Sequence, residues 1–204
     1  MAGTVYIVIY SLYHHIYKLA LEVQKGLENS GTEVKLFQVQ ETLSDDILVK
    51  MHAPAKPDIP VITVDDLMIP DGIIFGTPTR FGTMPTQMKA LLDASGKLWA
   101  SGGLGGKFAG TFFSTGSQHG GQETTALTTV TYFAHHGMIY VPLGFANAYL
   151  FDNSEVIGGS PYGAGTIAGT DGSRDVSQKE KEIAVTQGEM FGKIVSTYVK
   201  GKSA

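Results

Sequence analysis

The chain has no cysteine among its 204 residues. Thiolate metal sites, disulfides and cysteine nucleophiles are thereby excluded together. The composition fits a reducing compartment, and the cytoplasm is the expected location, with peripheral membrane contact left open. Basic runs are missing too. Lys and Arg number 15 against 19 Asp and Glu, giving a net charge of −4 and no basic stripe to follow a nucleic-acid backbone. The N-terminus lacks the basic segment, long apolar run and cleavage site of a secretory signal. Between Glu123 and Asp152 no Asp, Glu, Lys or Arg occurs, yet His135, His136, Gly137 and Pro142 interrupt the span. A membrane helix needs about 20 predominantly apolar residues, so the span reads as a buried helix followed by a buried strand.

Hydrophobic residues make up 43% and charged residues 17%, and no low-complexity tract appears, so a single globular domain over 1–204 is expected. "TVYIVIY" (4–10) is an apolar, β-branched strand that ends at Ser11. Ile16, Leu19, Ala20, Val23 and Leu27 then follow a helical stripe up to "NSG" (29–31). "EVKLFQV" (33–39), "DGIIFGTP" (71–78), "KFAGTFFSTG" (107–116) and "GMIYVPLG" (137–144) read as four more strands. Pro85 suits the first turn of a helix carrying Met88, Leu91 and Leu92. Ser177 and Glu180 have the capping-box spacing that opens a last helix, with Ile183, Phe191, Ile194, Val195 and Tyr198 along one face. "HAPAKPDIP" (52–60) is a proline-interrupted loop. "NSEVIGGSPYGAGTIAGTDGS" (153–173) holds six glycines, but its Ile, Val, Pro and Tyr mark an ordered insertion packed on something. Five strands alternating with helices predict an α/β, doubly wound parallel sheet with helices on both faces. Ligands then sit beyond the carboxyl ends of the strands.

Three loops occupy that edge. Ser11-Leu12-Tyr13-His14-His15 leads into a helix, whose free amides and dipole suit a phosphate. The loop carries neither a G-x-G-x-x-G nor a P-loop pattern and no Lys or Arg, which favours a small monophosphate over a dinucleotide or ATP. "TPTRFGTMP" (77–85) presents Thr79, Arg80 and Phe81 between Pro78 and Gly82, an aromatic plus donors suited to a flat heteroaromatic ligand. "STGSQHGGQE" (114–123) again exposes backbone amides. Metal catalysis is disfavoured because His14-His15 and His135-His136 are adjacent pairs, not the i, i+4 spacing of helical zinc ligands. A serine hydrolase is disfavoured because no G-x-S-x-G occurs.

"YS-x-Y-x-H", "FGTPTRFG", "LWASGGLGGK", "STG…GGQE", "AHHGM" and "GGSPYGAGTIAG" together resemble the WrbA-type NAD(P)H:quinone oxidoreductases, in a fungal flavodoxin-like form. The resemblance runs through nearly the whole chain. It implies a flavodoxin-like sheet of order 2-1-3-4-5 and FMN as cofactor, with NADH or NADPH as electron donor. It implies that Ser11, Leu12, Tyr13, His14, His15 and Ile16 hold the FMN phosphate. Pro78, Thr79, Arg80, Phe81 and Gly82 would meet the flavin and ribityl chain, with Ser114, Thr115, Gly116, Ser117 and Gly120 on the other side. His136 corresponds to the family's active-site histidine over the flavin, and Trp99, Phe81 and Tyr13 to aromatic groups framing nicotinamide or quinone. A homotetramer, with sites completed near neighbouring subunits, is also implied. His14 stands where the bacterial pattern has Gly, and the fourth loop is one residue longer than that pattern.

On this resemblance the expected reaction is two-electron reduction of quinones to hydroquinones by a ping-pong mechanism, the nicotinamide leaving before the quinone enters. His136 is expected to donate a hydrogen bond or proton to a quinone oxygen. The alternative is an electron carrier, or a stress-related FMN-binding scaffold, without quinone turnover. Carriers tend to be strongly acidic, and a net charge of −4 gives little steering field.

Overall fold

The computed structural model describes residues 3–202. Its first strand shows why the sheet is central. In β1 (Thr4–Ile9), Val5, Ile7 and Ile9 enter one apolar cluster while Tyr6 and Val8 enter another. A strand with apolar side chains on both pleat faces is stable only between two helical layers. On the first face α1 (His15–Asn29) packs with α6 (Gln178–Lys202), burying Ile16, Leu19, Val23, Ile183 and Phe191. On the second lie α3 (Thr86–Ala94), α4 (Gly96–Ser101) and α5 (Gln122–His135), contributing Met88, Leu92, Leu98 and Phe133. The short α2 (Asp45–Lys50) buries none of its residues fully.

β2 (Glu33–Gln38), β3 (Gly72–Pro78), β4 (Phe108–Thr115) and β5 (Ile139–Tyr140) complete a parallel sheet of order β2-β1-β3-β4-β5. The order is the expected one, but the fifth position is shared. β5 is two residues long rather than spanning 137–144, and it pairs only with Phe108 and Ala109. The Ile139 and Val141 amides donate to the Lys107 and Ala109 carbonyls, but the next β4 carbonyl, that of Thr111, accepts from Gln187 Nε2 at 2.9 Å instead. The upper half of β4, Phe113–Thr115, pairs instead with a sixth strand, β6 (Gly165–Ile167), from the glycine-rich insertion. The insertion reaches that edge because Gly163 passes so close to β4 that a Cβ there would lie 1.9 Å from the Thr111 carbonyl oxygen. The α6 capping box forms as the sequence predicts. The Glu180 amide donates to Ser177 Oγ at 3.2 Å, and the Ser177 amide donates to Glu180 Oε2 at 2.8 Å.

Candidate active site

The chain between β1 and α1 turns in five residues. His14, just before α1, sits at φ 66° and ψ −2°, in the left-handed region. Glycine takes that conformation freely, whereas a side chain costs roughly 1–2 kcal/mol there. Its backbone thus makes the turn a glycine would make. The His14 ring Nε2–H donates to the Ala55 carbonyl at 2.9 Å, and His15 Nε2–H donates to the Arg174 carbonyl at 2.9 Å. Neighbouring rings therefore reach opposite segments. Ser11 Oγ accepts from the Tyr17 amide at 3.2 Å, which leaves the hydroxyl proton for a further acceptor. Among the described residues, the amides of Leu12, Tyr13, His14, His15 and Ile16 find no protein acceptor. A row of open amides at the start of a 15-residue helix is an anion cradle.

The other two loops close on it. The Thr79 amide donates to the Ser114 carbonyl at 2.8 Å, joining the third and fourth loops. Arg80 and Thr83 exchange backbone bonds of 2.7 and 3.1 Å, lifting Phe81, at φ 52°, wholly into solvent. Arg80 Nη1 donates to the Thr79 carbonyl at 2.9 Å. Thr115 Oγ1 donates to the Ser117 carbonyl at 2.7 Å, and the Gly120 amide donates to the same oxygen at 3.1 Å. A cavity of about 100 Å³ lies between the loops. Its walls are Ser11, Leu12, Tyr13, His15 and Ile16 from the first, Pro78 to Arg80 from the third, and Ser114 to Gly116 from the fourth. His14, Phe81, Gly82, Ser117 and Gly120 belong to the same loops but stand off that wall. Ala168, just after β6, completes the cavity and was not foreseen. The apolar punctuation of its segment was the available signal.

A charged cluster underlies the cradle. Lys56 Nζ lies 2.6 Å from Glu41 Oε2, 4.5 Å from the centroid of the Tyr10 ring, and donates to the Ser11 carbonyl at 3.3 Å. Burial alone would raise the Glu41 pKa. Hydrogen bonds from Lys56, the Leu43 and Thr42 amides and Gln87 outweigh it and bring the value down to about 2. Burial and the neighbouring Glu41 carboxylate push the Tyr10 hydroxyl well above its ordinary value, so it stays protonated and donates to Glu41 Oε2 at 3.0 Å. Sequence reasoning saw no cation in the first loop. The structure brings one from a loop 45 residues away.

His136 and Trp99 are elsewhere. α5 starts beside the fourth loop and runs back along the sheet for 14 residues, or about 20 Å. His136 caps its far end, and Trp99, on α4, lies beyond the far end of α3. One chain therefore does not bring either residue to the cavity. Ser95 Oγ donates its single proton to the Leu92 carbonyl at 2.6 Å, so it accepts from the Tyr132 hydroxyl at 2.8 Å and from His136 Nε2–H at 3.1 Å. His136 Nδ1 is left as a buried acceptor without a partner. Burial, and then the adjacent His135, hold the His136 pKa below its ordinary 6.5. Trp99 is 61% exposed. Among the described residues no group of three or more His, Asp or Glu side chains converges as metal ligands, and no helix is long and apolar enough to cross a membrane.

Known proteins are similar to this chain in sequence and in fold. A chain from Triphysaria versicolor called quinone-oxidoreductase QR2 is 56% identical over 206 residues, covering 100% of both chains. One from Candida albicans called NAD(P)H quinone oxidoreductase PST3 is 55% identical over 198 residues, covering 96% of this chain and 100% of that one. Among solved structures, a flavodoxin, WrbA-like protein from Agrobacterium tumefaciens superposes with a TM-score of 0.68 over 96% of this chain and 99% of its own, at 23% identity. That likeness carries the flavodoxin-like fold. A family described as NADPH-dependent FMN reductase matches residues 14–150. By that match and by its identity with the quinone oxidoreductases, the chain belongs to the NADPH-dependent FMN reductase family.

Proposed function

We propose that the chain is an FMN-dependent NAD(P)H:quinone oxidoreductase that reduces quinones to hydroquinones by two electrons. The observation that carries this reading is the row of open amides from Leu12 to Ile16, with the Ser11 hydroxyl, at the start of α1. Neutral donors at a helix N-terminus match a monophosphate without any Lys or Arg in the loop. The cavity of about 100 Å³ fits a phosphate end rather than a flavin ring. The 79–82 and 116–121 loops would hold the ring. These residues fit FMN. FMN held there would supply the redox chemistry, hydride uptake from the nicotinamide and two-electron reduction of the quinone in two successive half-reactions at one site, with the hydroquinone's remaining proton coming from solvent.

The chain's own residues bind, orient and shield. Ser11 and the first-loop amides hold the phosphate. Pro78, Thr79, Arg80 and Gly82 on one side, and Ser114 to Ser117 with Gly120 on the other, border the ribityl chain and ring. Phe81 and Trp99 offer flat faces for stacking, each worth roughly 0.5–1.5 kcal/mol beyond burial. Both nitrogens of His136 are turned inward, which supports an orienting role in place of proton donation. Because Trp99 and His136 lie at the far edge of the sheet, the reading includes a homotetramer in which a neighbouring copy brings them to the flavin.

Spectral titration with FMN, followed by oxidation of NADH and NADPH with and without benzoquinone, tests the proposal. A flavin complex with quinone-dependent turnover and parallel double-reciprocal lines is expected. FMN binding without turnover would leave an electron carrier, and no flavin complex at all would remove the reading.

A further inference from the structure

We infer that residues 51–56 form a strap that holds the phosphate loop in its binding shape, and that His14 is the positioning residue through which the strap acts. The inference rests on the FMN reading. A loop with five amides facing no protein acceptor gains no backbone hydrogen bond from its own shape, so other contacts must set that shape before an anion arrives. Something else has to hold it open.

Three contacts do so from one side. The Tyr13 hydroxyl donates to the Met51 carbonyl at 3.0 Å, His14 Nε2–H to the Ala55 carbonyl at 2.9 Å, and Lys56 Nζ to the Ser11 carbonyl at 3.3 Å. The strap is itself fixed. Glu41, bonded to Lys56, also accepts from the Thr42 and Leu43 amides and from Gln87 Nε2, and Gln38 Nε2 donates to the Pro57 and Ile59 carbonyls. These tethers leave the loop amides untouched, since they use two side chains and one carbonyl of the loop. A side chain at a position where glycine is the relaxed choice is thereby explained. The left-handed turn needs only glycine, whereas the tether needs a ring that reaches Ala55. Preorganisation of this kind raises affinity by lowering the ordering cost on binding.

His14→Gly separates the two roles, because glycine keeps the turn and loses the tether. The FMN dissociation constant is expected to rise about fivefold or more, the size associated with one modest hydrogen bond. Riboflavin, which has no phosphate, should keep its affinity within about twofold if the strap shapes only the phosphate end. In the FMN-free protein, hydrogen exchange of the Tyr17 and Lys18 amides, which donate to Ser11 Oγ and the His14 carbonyl, should quicken in His14→Gly and in Tyr13→Phe. Unchanged FMN affinity in His14→Gly, or parallel weakening of FMN and riboflavin, would overturn the inference. A wild-type protein that binds no FMN refutes the cofactor reading instead. In that case exchange still decides the strap, and unaltered exchange in both variants overturns it.

Discussion

Three histidines of this chain tie distant segments together. His14 and His15 each give one proton to a carbonyl on a different segment, and His136 spends its proton on Ser95. Because burial and His135 depress the His136 pKa, the folded chain takes up a proton there at lower pH than the unfolded chain does. The group thus removes stability as pH falls below 6.5. In ¹⁵N spectra the His136 ring should titrate below the ordinary 6.5, its neutral form carrying the proton on Nε2. Glu41 has the same sign for the opposite charge type. Its contribution is full above the ordinary value of 4.5 and is lost as pH falls toward about 2. Acid unfolding of Glu41→Gln should therefore show a shallower loss across that range. Glu180 has no exposure, and accepts from Arg174 Nη1 at 2.9 and 3.0 Å as well as from the Gly158 and Ile167 amides. Removing one partner of a buried pair costs about 3–5 kcal/mol. A Glu180→Ala protein that loses less than about 1 kcal/mol in urea would contradict that assignment.

Helices α1 and α6 approach closely because glycines meet at their crossing. A Cβ at Gly188 would lie 2.2 Å from the Val23 carbonyl oxygen, and one at Gly26 would lie 2.1 Å from that of Val185. Gly188→Ala must push the two backbones apart, and overpacking of this kind costs roughly 1–3 kcal/mol or more. Its melting temperature should fall although alanine has the higher helix propensity. The insertion acts at the same scale. By pairing β6 with the upper half of β4 it places Ala168 on the cavity wall, and Arg174 carries the tether to His15.

At the scale of the molecule, exposed aromatic groups are the conspicuous surface feature. Phe81 stands clear of the chain, Trp99 is largely exposed, and Phe145 stacks on Phe151 at 4.8 Å with both in solvent. Such groups support the proposed assembly. Sedimentation should give a homotetramer. Mixing two inactive variants, Ser11→Glu in the cradle and Trp99→Ala at the far edge, should restore part of the quinone turnover if copies share sites. No recovery after dissociation and reassembly would count against shared sites. Binding also feeds stability, since FMN at about 100 times its dissociation constant adds roughly 2.7 kcal/mol to a protein that binds it only when folded. A melting temperature unmoved by saturating FMN would contradict the cradle.

Periodicity and punctuation in the sequence determined β1 to β4, α1, the capping box of α6 and the three loops at one edge of the sheet. Those features depend on neighbours within a few residues, so local chemistry specifies them. Residues such as Ser11, Thr79 and Gly116 were legible because their loops follow strand ends. The short β5, the β6 pairing and Ala168 were not. They are set by distant segments that take the upper half of the same edge of β4, which no local pattern records. Nor was the work of the histidines legible. His14 and His15 acquire their roles only when Ala55 and Arg174, 41 and 159 residues away in sequence, fold against the loop. His136 donates to Ser95, 41 residues away, because Ser95 has a single proton and gives it to Leu92. Hydrogen bonds between remote segments are decided by packing, and packing exists only in the tertiary structure.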